Sequence, residues 1–231
     1  MSRQLALPFV LAPAFGSFIV GDSNAEAWAW MADPSAWPGG RLAVHGAEGV
    51  GKSHLLHAFA VRHGGVLVPG EAVRYLVDLP EGGAIAVDDA DAAPEDEALL
   101  HLLNGAAEAG LPVLLAGRVA PAQWDVGLPD LRSRLRAVTA VEIGLPDDGL
   151  LAGLLARLLA ERQLRVDGPV QAYLLARLPR WGAALREAAV LLDRASLAEG
   201  RRVSRAMAGA VVAAMTGDGL QGDVHGAATL L

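Results

Sequence analysis

Gly46-Ala47-Glu48-Gly49-Val50-Gly51-Lys52-Ser53 is the stretch on which the reading of this 231-residue chain turns. It has the form G-x-x-x-x-G-K-[ST]. Its glycines let the backbone curl so that successive N–H groups surround a phosphate at the start of the helix that follows. Lys52 is the only lysine; the other eighteen basic residues are all Arg. A composition that avoids lysine elsewhere keeps it at the position where a compact ammonium must reach the β- and γ-phosphate oxygens, a role for which a planar guanidinium is too wide. A plain glycine turn before a helix would account for the glycines but not for that lysine. Gly46, Ala47, Glu48, Gly49, Val50, Gly51, Lys52, Ser53 and the adjoining His54 are therefore assigned to binding ADP or ATP. The Ser53 hydroxyl is assigned to a Mg²⁺ ion.

Around this loop the sequence alternates between strand and helix signals. Arg41–His45 is predicted to be a buried strand feeding the loop, and Ser53–Arg62 the helix leaving it. Strands are expected at Val66–Val68, Ala84–Asp88, Pro112–Ala116 and Val138–Ile143, with helices at Glu95–Ala109 and Asp130–Leu135. A first helix, capped by Ser23 or Asn24, should run through Met31. This order predicts an α/β fold, a parallel sheet flanked by helices on both faces. The strand Ile85-Ala86-Val87 ends in two carboxylates. Asp88 is the candidate second Mg²⁺ ligand, and Asp89 could polarise an attacking water.

From Pro146 the pattern is helical only: Asp147-Asp148 to Arg162, a helix with Pro169 in its first turn ending near Pro179, then Ala183–Leu197 and Ser204–Met215. The expected organisation is a flexible segment 1–14, an α/β nucleotide-binding base 15–145, a small helical lid 146–216 and a loose tail 217–231.

Bulk properties narrow the classes. The net charge of −7 argues against a broad nucleic-acid footprint, and the absence of cysteine excludes disulfides and thiolate chemistry. Seven Arg between Arg177 and Arg205 outweigh Glu187, Asp193 and Glu199; we read them as a solvated helix face. The apolar start, Leu5 to Leu11 followed by Ala12-Pro13-Ala14, imitates a secretion signal. Pro8 interrupts it and its cationic region is a single Arg3, so a cytoplasmic, nucleoid-associated protein with no membrane contact is expected.

The order of these segments resembles the AAA+ ATPases of the bacterial replication-initiator (DnaA) family. Phe15-x-x-Phe18-x-Val20-Gly21-x-x-Asn24 is similar to that family's adenine-side segment, which implies that Val20 and Gly21 lie against the base. Leu128-Pro129-Asp130-Leu131-Arg132-Ser133-Arg134-Leu135 resembles its arginine-finger segment, with Arg134 in the finger position. The sequence stops near the last lid helix, before the family's DNA-binding helix-turn-helix domain. At the other end Gln4-Leu5-Ala6-Leu7-Pro8-Phe9 is similar to peptides that dock on the bacterial DNA sliding clamp, with Gln4, Leu5, Leu7, Pro8 and Phe9 as contacts.

Together these features resemble the branch of the family that inactivates the initiator. The resemblance implies three things: an initiator as partner, the DNA-loaded clamp as platform, and Arg134 acting in trans on the initiator's ATP. DNA contact would be mainly through the clamp, and a homodimer stays open. Three departures from the family imply weak hydrolysis by the chain itself. Asp89 stands where many relatives carry Glu. Gly117-Arg118 follows the fourth strand without a polar sensor. The lid's phosphate-sensing Arg falls on Ala183, with Arg180 and Arg186 a turn away on either side. Two other readings remain: an autonomous ATPase of initiator or helicase-loader type that binds single-stranded DNA through Arg177–Arg205, and a clamp-tethered adaptor whose nucleotide only holds its shape.

Overall fold

A computed structural model describes residues 18–76 and 78–217. The clamp-type segment Gln4–Phe9, Phe15 and the tail beyond Gly217 lie outside the described residues. Two compact units emerge: one of the described residues 18–20 and 24–144, the other of 21–23 and 145–217.

The first unit is built on five parallel strands, β1 (Arg41–His45), β2 (Val66–Pro69), β3 (Ile85–Asp88), β4 (Val113–Gly117) and β5 (Thr139–Glu142), in the order β2-β3-β4-β1-β5. Its helices are α1 (Ala25–Ala32), α2 (Lys52–Arg62), α3 (Asp96–Glu108) and α4 (Pro129–Arg136). Parallel strands joined by helices must bury both faces, so their sequences read as continuous apolar runs. The two-residue period then sorts side chains between two cores. Ala43, Ile85, Val87, Val113 and Leu115 join Leu99, Leu103, Leu131 and Leu135 of α3 and α4 on one face. Leu42, Val44, Ala86, Leu114, Ala116 and Val141 join Met31, Leu55, Leu56 and Phe59 of α1 and α2 on the other.

Alanines 84, 86 and 116 are fully buried beneath α2, and their small side chains let this helix lie close to the sheet. That closeness brings the N-terminus of α2 to the strand tips. Replacing Ala86 by Leu should overpack this layer and lower unfolding stability by about 1–3 kcal/mol in denaturant titration. An unaltered midpoint would show that α2 does not depend on the alanine floor.

The second unit is a helical bundle of α5 (Asp148–Glu161), α6 (Gly168–Leu175), α7 (Gly182–Glu199) and α8 (Arg205–Thr216). Its core is Leu151, Leu155, Leu159, Leu174, Leu185, Leu192, Val203 and Val211. Two starts are capped by side chains: Asp147 accepts from the Leu150 N–H at 2.7 Å, and Ser204 from the Met207 N–H at 3.2 Å.

Element ends differ from the sequence expectation by a residue or two, with two larger corrections. Asn24 stands at the cap position of α1, but its amide donates to the Ile19 carbonyl at 3.1 Å instead of capping the helix. The helix beginning near Pro169 stops at Leu175, not near Pro179. There the Arg177 and Leu178 N–H groups both turn back to the Leu174 carbonyl, which closes the helix early. Among the described residues, no helix is long and apolar enough to cross a membrane.

Candidate phosphate-binding site

The loop between β1 and α2 takes its shape from three glycines with positive φ: Gly46 at 152°, Gly49 at 79° and Gly51 at 106°. Gly46 is the most constrained. A Cβ there would stand 2.3 Å from the Ile143 carbonyl oxygen, a backbone atom held where β5 continues beside β1. Gly51 sits at the cap of α2 in the left-handed region, turning the chain so that the first N–H groups of the helix face the loop. A side chain at either position would open the curl.

Lys52 begins α2 and is buried, unusual for a lysine without a carboxylate partner. Its Nζ donates to the Gly46 carbonyl at 2.8 Å and the Ala47 carbonyl at 2.9 Å, so the ammonium is held inside the ring of the loop. Two of its three N–H groups hold the loop. The charge, the loop amides and the N-terminal end of α2 together form an anion cradle of the kind that takes a phosphate chain.

Asp88 ends β3, two strands from β1 because β4 lies between them. The Ser53 hydroxyl nevertheless hydrogen-bonds its carboxylate. Burial pushes the Asp88 carboxyl above its ordinary value. The Ser53 bond works against this, the neighbouring charge of Asp89 reinforces it, and the Asp89 N–H and Lys52 oppose it more weakly. A half-buried carboxylate with a hydroxyl beside it, next to a phosphate cradle, fits a Mg²⁺ ion that keeps several waters. The two oxygens would hold the ion, and its charge would keep Asp88 ionised and screen the phosphates. No cluster of three or more His, Cys, Asp or Glu suited to a metal occurs among the described residues, so such an ion would depend on the nucleotide for further ligands.

Asp89 is exposed and adopts a left-handed backbone, φ 47°. Its N–H returns to the Asp88 carboxylate at 3.1 Å, and its carbonyl oxygen would stand 2.2 Å from a Cβ on Gly70. Such a conformation costs a non-glycine residue energy and concentrates at functional sites. At the tip of β4, Gly117 lies under the Trp124 indole, with Asp91 close by; Asp91 Oδ2 accepts from the Arg118 N–H at 2.7 Å. The strand therefore ends without a polar side chain at Gly117, and Arg118 is exposed.

Near the start of α2, His54 stacks on Phe18, with centroids 5.5 Å apart, and Phe18 stacks on Trp28 of α1 at 4.9 Å. Trp28 was not singled out from the sequence. Its only signal was that α1 holds two of the five Trp in a chain with 5% aromatics. Val20 is 46% exposed. Gly21 belongs to the second unit, where a Cβ would meet the Leu150 side chain at 3.2 Å. The structure thus brings the Gly46–Ser53 loop and Asp88 together. In the second unit Arg180 pairs with Asp148 at 2.6 Å, and Ala183 and Arg186 are exposed on α7.

Arg134 lies elsewhere on the sheet. It sits in the last turn of α4, which leads into the start of β5, and its Nε pairs with Asp130 Oδ2 at 3.3 Å. Arg41, the first residue of β1, has its pKa lowered by burial and then by the nearby Arg134 charge. Arg134 thus stands beside the amino ends of the strands, whereas the loop follows their carboxyl ends. The four residue steps of β1 put about 13 Å of sheet between those edges. Two residues earlier, the Arg132 guanidinium donates to the Val126 carbonyl.

No family model matches the chain. Its fold is that of the DnaA-like AAA+ ATPases. Domain III of the replication initiation protein DnaA from Thermotoga maritima superposes with a TM-score of 0.71 at 18% identity, over 87% of this chain and 95% of that one. AMPPCP-bound DnaA from Aquifex aeolicus gives 0.64 at 20% identity, over 80% of this chain and 66% of that one, so the chain spans about two thirds of that structure. A point mutant of RuvB from Thermotoga maritima gives 0.64 at 17% identity, over 89% of this chain and 74% of that one.

Two outcomes follow for the site. Lys52→Ala should weaken ADP binding by about 10- to 100-fold in calorimetry, the 1.5–3 kcal/mol scale of a charged hydrogen bond. Undiminished affinity would remove the ammonium from the site. Because the Asp88 pKa is raised in the folded chain, this group's contribution to the stability of the nucleotide-free protein is fully present below the ordinary carboxylate range and is lost as pH rises through the raised value. Asp88→Asn should flatten that part of the Tm–pH curve while removing the Mg²⁺ dependence of nucleotide binding; an unchanged curve would contradict the burial argument.

Proposed function

We propose that this chain is a regulatory inactivator of the bacterial replication initiator, of the type called Hda. It binds ADP or ATP with Mg²⁺ in the Gly46–His54 cradle, where the nucleotide serves mainly to hold the conformation. AMPPCP in the structural neighbour from Aquifex aeolicus supports this choice of ligand. Arg134 is the group it lends. Its guanidinium enters the γ-phosphate site of ATP on an initiator molecule and neutralises charge developing on the transferring phosphoryl group. Comparable arginine fingers accelerate hydrolysis by about 10³–10⁵. The initiator is left with ADP, and re-initiation is prevented.

The observation that carries this reading is the placement of Arg134 at the sheet edge opposite the chain's own phosphate loop. An arginine there is too far from its own loop and free to serve another molecule's. The Asp130 pairing is exposed and of the i,i+4 kind, worth only about 0.3–0.5 kcal/mol, so releasing the guanidinium is easy. Gln4, Leu5, Leu7, Pro8 and Phe9 tether the chain to the sliding clamp on DNA, raising its local concentration near initiators bound there. This part rests on the sequence resemblance alone.

With initiator and DNA-loaded clamp present, Arg134→Ala should abolish stimulated ATP hydrolysis and keep clamp affinity. Ala at Gln4 and Leu5 should lose both clamp association and stimulation. Equal stimulation by wild type and the Arg134 variant would refute the finger. Appreciable turnover by the isolated chain would favour an autonomous ATPase.

A further inference from the structure

One carboxylate of the first unit reaches out of its own helix to hold the segment that leads into the arginine-bearing α4. Asp96 is the first residue of α3, and its Oδ2 accepts from the Gly127 N–H at 2.6 Å and from the Leu128 N–H at 3.0 Å. Two backbone donors thus converge on a single oxygen, across 31 and 32 residues of sequence. Hydrogen bonds to an ionised acceptor are stronger than neutral ones, and these tie two separate segments together. Leu128 stands at the cap position of α4 and supplies no side-chain cap, so the start of this helix is held from outside it.

Little play remains between this clasp and the helix. Pro129 opens α4 with a fixed φ and confines Leu128 to extended backbone, found at φ −75° and ψ 120°. The bond from Arg132 to the Val126 carbonyl stiffens the lead-in but links α4 only to its own approach. On the inner side Leu131 and Leu135, one turn apart, are fully buried in the core shared with α3. Apolar contacts are non-directional, so they hold α4 against the core without fixing its roll or tilt. Asp96 supplies the directional point that they lack. Arg134 lies six residues beyond Leu128 (134 − 128), roughly 9 Å along the helix. A swing of about 6° at the clasp would therefore carry it about 1 Å, a misplacement that can cost on the order of a hundredfold in rate.

We infer that Asp96 is the positioning residue of Arg134: by holding the Gly127 and Leu128 N–H groups, its carboxylate sets the direction in which α4 presents the guanidinium to another molecule's nucleotide. The inference rests on the arginine-finger reading of Arg134 and adds the contact that aims it. Asp96 touches no phosphate in this role and moves no proton; it acts through the backbone alone. The clasp needs an acceptor at one place more than it needs a charge. An Asn carbonyl oxygen has the two lone pairs to take both donors, Ala has none, and the longer Glu would push the lead-in outward. As an acid in the first turn of α3, Asp96 also complements that helix's dipole, a role in which Glu would serve and Asn would not. The two roles therefore rank the same substitutions in opposite order.

The test measures ATP hydrolysis by the initiator with DNA-loaded clamp present, titrating the full-length chain to saturation. Asp96→Ala and Asp96→Glu should each lower the stimulated rate at saturation about 10- to 100-fold, while the half-maximal concentration stays within about twofold of wild type. Asp96→Asn should stay within about fivefold of the wild-type rate, its bonds being roughly half as strong. Glu97→Ala, an exposed neighbour on α3, should leave the rate unchanged. In the isolated chain, the Gly127 and Leu128 amides should resist hydrogen exchange in wild type and exchange faster in Asp96→Ala, with affinity for the chain's own ADP unaltered. Full stimulation by Asp96→Ala would overturn the positioning role, and an inactive Arg134→Ala in the same assay would leave the finger standing. Loss in the Asn variant with retention in the Glu variant would assign Asp96 to the dipole of α3 instead. A shifted half-maximal concentration at an unchanged rate would make it a docking effect. Equal exchange of the two amides in wild type and Asp96→Ala would remove the clasp. Full stimulation by Arg134→Ala would remove the finger itself, and with it anything to aim.

Discussion

A parallel sheet has two chemically different edges, and this protein's organisation depends on that polarity. Loops leaving the carboxyl ends of β1 and β3 bring Lys52, Ser53 and Asp88 within reach of one another. The connection from α4 to β5 enters at the amino ends, and Arg134 sits in the last turn of α4 before it. Because every strand points the same way, no small side-chain adjustment can move an amino-edge arginine to a carboxyl-edge phosphate. The nucleotide cradle and the arginine are separate devices on one scaffold.

The cradle itself is an exercise in backbone approach. Gly46 must lack a Cβ because the Ile143 carbonyl stands where one would go, and the ring it closes supplies the two carbonyls that hold Lys52. The lysine in turn places positive charge among amides that already face an anion. Asp88 reaches Ser53 across the tip of β4. At that tip Gly117 carries no side chain, and the Trp124 indole and the Asp91 carboxylate lie against it.

Much of this was legible in the residues. The glycine–lysine–serine spacing located the cradle, and unbroken apolar runs such as Val113–Ala116 identified buried parallel strands because both faces of such a sheet are covered. The change to 3.6-residue periodicity after Pro146 marked the helical bundle. Other features were not legible, because they arise from tertiary packing. Asn24 has the composition of a cap, but a nearby carbonyl from Ile19 competes for its amide. The Trp28–Phe18–His54 stack joins three separate segments and leaves no local pattern. The clasp of Asp96 on Gly127 and Leu128 joins α3 to the approach of α4 across 31 and 32 residues of sequence, where a linear reading sees only an acidic first turn.

The most direct measurement is the affinity of the Arg134→Ala protein for its own ADP and ATP, by calorimetry alongside the wild type. If the arginine and the cradle serve different nucleotides, both affinities should stay within about twofold of wild type, a change under about 0.4 kcal/mol. A tenfold or greater loss for ATP would mean that Arg134 reaches the chain's own phosphates, and the separation of the two sheet edges would not hold.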